Sequence, residues 1–119
     1  MTVINPRYLS CPIRQVISRF GDKWSILVLR ALHDSRTGVL RYSELHRTIA
    51  DCSQKMLTST LRRLEQSRLI HRKAYPEVPP RVEYSLTETG RSLIPVLDAL
   101  VEWATQHFDE VVGTSPEQS

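Results

Sequence analysis

Between Ser53 and Arg62 the chain sets Gln54, Lys55, Thr58, Ser59 and Arg62 at spacings that fall on one side of a helix, with Leu57, Leu61 and Leu64 on the other. The polar set combines amide, hydroxyl, ammonium and guanidinium groups, the chemistry that bonds base edges and phosphate oxygens. A polar helix face is, in most proteins, only solvated. Here Ser, Thr and Gln stand where strong helix formers are usual, and no acid intervenes before Glu65. Arg63 falls at the flank. A second basic group, Arg72, Lys73 and Arg81, brackets a proline-rich segment and is suited to a sugar-phosphate backbone. Its plain alternative is a rigid surface turn with incidental charge.

Thiol chemistry has one well-placed candidate. Cys11 precedes Pro12 at a helix start, where peptide dipoles favour the thiolate, and Arg7 and Arg14 lie nearby in sequence. A capping or packing cysteine is the plain alternative. Cys52 has some of the same dipole assistance, one residue before the polar helix. Two distant single cysteines make neither a disulfide framework nor a CxxC pair, so a thiol oxidoreductase has little to rest on. The histidines His33, His46, His71 and His107 fall on different elements without the close ligand spacing of a zinc site. With no glycine-rich phosphate loop and no nucleophile elbow, the expectation is no catalytic residue, no metal, no cofactor and no enzyme.

The elements that position these groups follow from period and punctuation. Pro12 opens a first helix carrying Ile13, Val16, Ile17 and Phe20, and Gly21 stops it. Asp22 can cap a second helix whose stripe is Trp24, Leu27, Val28, Ala31 and Leu32, with Ile26 and Leu29 extending it. A turn at 34–38 leads to a brief extended piece, Val39 to Tyr42, and a short third helix with Leu45 and Ile49 inward. Ser53 can cap the fourth helix. Two strands, 69–75 and 81–86, flank Pro76-Glu77-Val78-Pro79-Pro80, which is too proline-rich to join a ladder. Thr87 can cap a last helix with more apolar positions than one stripe needs, among them Trp103 and Phe108, and Pro95 should kink it.

Helix, helix, turn, helix and hairpin is the order of a winged helix-turn-helix. The expected fold is therefore mainly α with a small β-hairpin, a winged helix-turn-helix with an added C-terminal dimerisation helix. Its parts are an N-terminal arm over 1–10, the domain over 11–112 and a flexible tail over 113–119. A chain of 119 residues allows one core. Residues 53–91 carry eight Lys or Arg against four Glu, whereas 92–119 carry five acids and no Lys or Arg, so one face suits phosphate and another something else. No apolar run reaches bilayer length and the start lacks a signal-peptide core, so a cytoplasmic location is expected.

These residues also resemble a known family. The runs Cys11-Pro12, Gly21-Asp22-Lys23-Trp24-Ser25-Ile26-Leu27, Arg41-Tyr42-Ser43-Glu44-Leu45, Ser53-Gln54-Lys55-Met56-Leu57-Thr58 and Leu61-Arg62-Arg63-Leu64-Glu65 are similar to those of HxlR-type regulators. So is the segment from Tyr75 to Thr87, followed by Gly90; the likeness covers roughly 10–108. The resemblance implies a MarR-like homodimer joined by its first and last helices and a recognition helix starting at Ser53; a two-fold interface that buries the surplus apolar surface of the last helix would in turn fit a near-palindromic double-stranded DNA operator. It also implies that Cys11 senses oxidants or electrophiles. A regulator that answers a non-covalent small-molecule ligand, and a winged-helix module that binds protein, remain the alternatives.

Overall fold

The computed structural model describes residues 12–113. Helix α1, Pro12–Phe20, ends at Gly21, where an added Cβ would lie 2.7 Å from the Ile17 carbonyl oxygen. Helix α2, Lys23–Asp34, starts on Asp22, whose carboxylate accepts the Ser25 N–H. Strand β1, Val39–Arg41, leads directly into helix α3, Tyr42–Thr48. Ser53 caps helix α4, Gln54–Gln66, by accepting the Met56 N–H at 3.0 Å. Strands β2, Ile70–Tyr75, and β3, Arg81–Leu86, form the hairpin, and Thr87 caps helix α5, Glu88–Gln106, by accepting the Gly90 N–H. A last turn, α6, spans Phe108–Val112.

The three caps fall where the sequence puts them, because each depends only on residues within one turn. Two expectations need correction. The extended piece before α3 is a third strand, pairing antiparallel with β3 in the sheet order β1-β3-β2, with Leu40 opposite Tyr84. The hairpin is thus the larger part of a three-stranded sheet. On α2 the stripe is rotated: Leu29 is fully buried with Val28 and Leu32, while Leu27 is exposed. Helix α5 runs through Pro95 to Gln106, and a break at His107 separates it from α6.

One core joins these elements. Val28, Leu29 and Leu32 of α2 meet Leu45 and Ile49, the α4 residues Leu57, Leu61 and Leu64, the sheet residues Ile70, Tyr84 and Leu86, and Ile94 and Leu97 of α5. Burying such side chains contributes about 1.5–3 kcal/mol each, and it fixes the rotation of α4 about its own axis. Helix α4 ends in a Schellman arrangement in which Leu69 N–H bonds the Leu64 carbonyl and Arg68 takes a φ of 62°. A bulky residue in this left-handed position costs about 1 kcal/mol relative to glycine. The outer faces of α1, α5 and α6 find nothing to cover them within the described residues: Val16, Ile17, Val96, Leu100, Val101, Trp103 and Phe108 are all exposed.

Candidate nucleic-acid interface

With three leucines of α4 locked into the core, its opposite side is set outward. Gln54, Lys55, Thr58, Ser59 and Arg62 are all exposed and line one open hollow of about 630 Å³. The structure therefore gathers five of the eight polar residues read from the sequence onto a single surface. Ser53 is not among the lining residues; its hydroxyl is engaged with the backbone of α4.

Tyr42 completes the hollow and was missed in the sequence. Its hydroxyl donates to the Gln54 carbonyl at 3.1 Å and lies 3.4 Å from Thr58 Oγ1. It thereby ties the first helix of the pair to the start of the second. Its place directly after β1 was the available signal, but a tyrosine there reads equally well as a strand residue. The turn between the two helices is held by His46, whose Nε2 lies 3.0 Å from the Cys52 carbonyl; that nitrogen carries the proton, because a carbonyl only accepts.

Of the three cations expected on the hairpin, Arg72 is exposed on β2, and Lys73 and Arg81 differ from each other in their surroundings. Strand register sets Tyr75 opposite Arg81 and Lys73 opposite Glu83. The Tyr75 ring is flanked by Lys73 Nζ at 5.1 Å and the Arg81 guanidinium at 3.8 Å. Lys73 is exposed. Arg81, expected over the sugar-phosphate backbone, donates to Glu77 at 2.8 Å and to Glu83 at 3.0 Å. Two carboxylates offset its charge, and its guanidinium stacks on the Tyr75 ring. Both acids are close in sequence, Glu83 two residues on along the same strand and Glu77 in the tip.

Arg63, the flanking residue, turns away from the hollow. Its Nη2 donates to Asp22 Oδ1 at 2.8 Å and to Ser25 Oγ at 2.9 Å. Burial pushes the Asp22 carboxyl up, but the Ser25 hydrogen bonds and the Arg63 charge outweigh this and hold it below the usual value.

Cys11 lies outside the described residues. Cys52 is 1% exposed, and burial together with the Asp51 charge raises its thiol pKa, against a smaller opposing effect of Lys23. The dipole assistance read from its position is overridden by desolvation. Iodoacetamide should accordingly alkylate Cys52 in a Cys11→Ser variant at least about tenfold more slowly at pH 7.5 than in the urea-unfolded chain. Equal rates would show that the thiol is accessible. Among the described residues no group of three or more His, Cys, Asp or Glu is placed to hold a metal ion, and no helix is long and apolar enough to cross a membrane.

Comparison with known proteins agrees with this geometry. The pattern of the HxlR-like helix-turn-helix family matches residues 19–112. An uncharacterized HTH-type transcriptional regulator of Methanothermobacter thermautotrophicus is 54% identical over 97 residues, covering 82% of this chain and 72% of the relative. The uncharacterized HTH-type transcriptional regulator YtfH of Escherichia coli is 40% identical over 109 residues, covering 92% and 84%. Among solved structures, the redox regulator HypR in its reduced form superposes with a TM-score of 0.75 at 35% identity, covering 87% of this chain and 99% of HypR. Its oxidized form gives 0.70 at 38%, covering 81% and 96%. These relatives are transcriptional regulators and not enzymes, as the absence of a catalytic constellation in the sequence led one to expect.

Proposed function

The chain belongs to the HxlR-like helix-turn-helix family of transcriptional regulators, and from that premise we propose that it acts in the cytoplasm as a homodimer on a near-palindromic duplex operator. The observation that carries this reading is the single hollow lined by Tyr42, Gln54, Lys55, Thr58, Ser59 and Arg62. Helix α4 enters the major groove, with Gln54, Thr58 and Ser59 toward base edges and Lys55 and Arg62 toward phosphates. Ser53 holds the helix start against the backbone, Lys73 reaches phosphate from the wing, and Arg81 keeps the wing stiff.

The partner for the exposed apolar faces of α1, α5 and α6 is a second copy of the chain. Val16, Ile17, Leu100, Trp103 and Phe108 are each about half exposed, a liability for a free monomer and an asset for a two-fold interface. Such an interface spaces two copies of α4 about 34 Å apart, one turn of DNA. Cys11, the residue before Pro12 in the sequence, is the proposed sensor of oxidants or electrophiles, a reading supported by the likeness to the redox regulator HypR. An adduct or bridge there would alter the relation of the two reading heads.

A mobility-shift titration on a duplex selected by the protein from a random pool tests this, with and without diamide, alongside sedimentation. The expected results are a particle of twice the 13.7 kDa chain mass at micromolar concentration, and an affinity that falls by about a thousandfold or more between 50 and 200 mM salt. Diamide should weaken binding by the wild type and leave Cys11→Ser unaffected. A monomer, or a protein with no duplex affinity at low salt, counts against the proposal; the latter points to a protein-binding module. A diamide response unchanged in Cys11→Ser removes the sensing role alone.

A further inference from the structure

Beneath the reading face, a closed polar triangle joins the recognition helix to the start of α2. Asp22 Oδ1 accepts from Ser25 Oγ at 2.6 Å and from Arg63 Nη2 at 2.8 Å, and Ser25 Oγ accepts from the same Nη2 at 2.9 Å. Asp22 Oδ2 meanwhile accepts the Ser25 N–H. Ser25 is completely buried, and the Arg63 Nε is buried without a partner.

That unpartnered Nε is informative. Partial burial of a guanidinium carries a desolvation cost that a half-exposed ion pair seldom offsets, and a leaving Nε unbonded adds to it. An apolar side chain of similar length would fill the site without that cost. What the guanidinium supplies instead is direction, since its two bonds converge on atoms of one short segment and define where the last turns of α4 sit over α2. The other end of the joint has little slack: Gly21, next to Asp22, has no room for a side chain against the last turn of α1, because a Cβ would meet the Ile17 carbonyl oxygen at 2.7 Å and Ile17 Cγ2 at 2.9 Å.

We propose that Asp22, Ser25 and Arg63 are positioning residues that hold the recognition helix at a fixed angle to the α1–α2 elbow, and so set the base-reading geometry without touching DNA. The inference rests on the DNA-binding reading above. A positioning group differs from a phosphate contact in what its loss does. Misaligned base contacts weaken binding to the preferred sequence, while attraction to any duplex and its salt dependence stay intact.

The test uses full-length dimeric protein, the selected duplex and a scrambled duplex of equal length. Arg63→Met is expected to lower affinity for the selected duplex about tenfold or more and to leave affinity for the scrambled one, and the salt slope, unchanged. Arg63→Lys, which can still donate to Asp22, should recover most of the discrimination. Asp22→Asn keeps the helix cap with its one oxygen on the Ser25 N–H, but turns an amide NH2 toward Arg63 and so loses both the charge and the acceptor there; it should reduce discrimination about two- to fivefold. Should Arg63→Met fail to fold, Asp22→Asn decides, and unchanged discrimination in a folded Asp22→Asn protein overturns the proposal. Loss of affinity for both duplexes with a flattened slope makes Arg63 a phosphate contact and also overturns it. Wild-type protein without salt-dependent affinity for either duplex would instead remove the DNA-binding reading, and this one with it.

Discussion

Alanine at both Lys55 and Arg62 is expected to reduce affinity for the selected duplex at least about a hundredfold at physiological salt. Both side chains are exposed on the outward face of α4 and line the hollow, so the loss falls on binding and not on folding. In a dimer the double substitution removes four charge-assisted contacts. At about 1 kcal/mol each these exceed the 2.8 kcal/mol that corresponds to a hundredfold. The salt dependence should flatten by between three and four units, about 0.9 for each phosphate released. Changing Gln54 or Ser59 should instead shift the preferred sequence, because amide and hydroxyl groups read base edges and carry no net charge. A double variant that stays folded and binds within twofold of the wild type would show that another surface reads DNA.

The second large effect is on stability. Gly90→Ala should destabilise the domain by about 3 kcal/mol or more, lowering the melting temperature by about 10 °C or more. Gly90 lies in the first turn of α5, where alanine ordinarily improves a helix by about 1 kcal/mol. Here a Cβ would stand 2.2 Å from the Leu69 carbonyl oxygen, 3.2 Å from its carbon and 3.3 Å from Leu86 Cδ2. The obstacle is backbone, which cannot rotate aside. It is also engaged: the Leu69 carbonyl accepts the Thr87 N–H at 3.0 Å and the Thr87 hydroxyl at 3.1 Å. Moving α5 off the sheet would disrupt the cap and the packing of Ile94 and Leu97 together. Thermal unfolding followed by circular dichroism checks this, and an unchanged or raised midpoint would sink it.

The two effects differ in how much of their basis can be read along the chain. Helix starts at Asp22, Ser53 and Thr87, the inward leucines of α4 and the outward set from Gln54 to Arg62 depend on residues within a turn or two of one another. For such local features, spacing and residue type suffice, and the outward polar face of α4 was legible in the sequence. The surplus apolar surface of the last helix was legible for the same reason, as more apolar positions than one stripe can bury.

What only the tertiary structure decided involves partners far apart in sequence. Three residues, Val39 to Arg41, become a strand because β3 offers them an edge more than forty positions later, and nothing in their own sequence requires it. Leu29 enters the core and Leu27 leaves it because both are leucines on one helix, and only the placement of α4, α5 and the sheet around α2 breaks the tie. Burial turns Cys52 from a thiol aided by a helix start into one disfavoured as a thiolate. The charges followed the same rule. Lys55, Arg62 and Arg63 are cations on one helix, yet Arg63 is drawn to Asp22, 41 positions away in sequence, while Lys55 and Arg62 are left facing outward by the leucines opposite them. A helix period determines the side on which a cation emerges, but whether it stays free for a phosphate depends on which carboxylate the fold brings within reach.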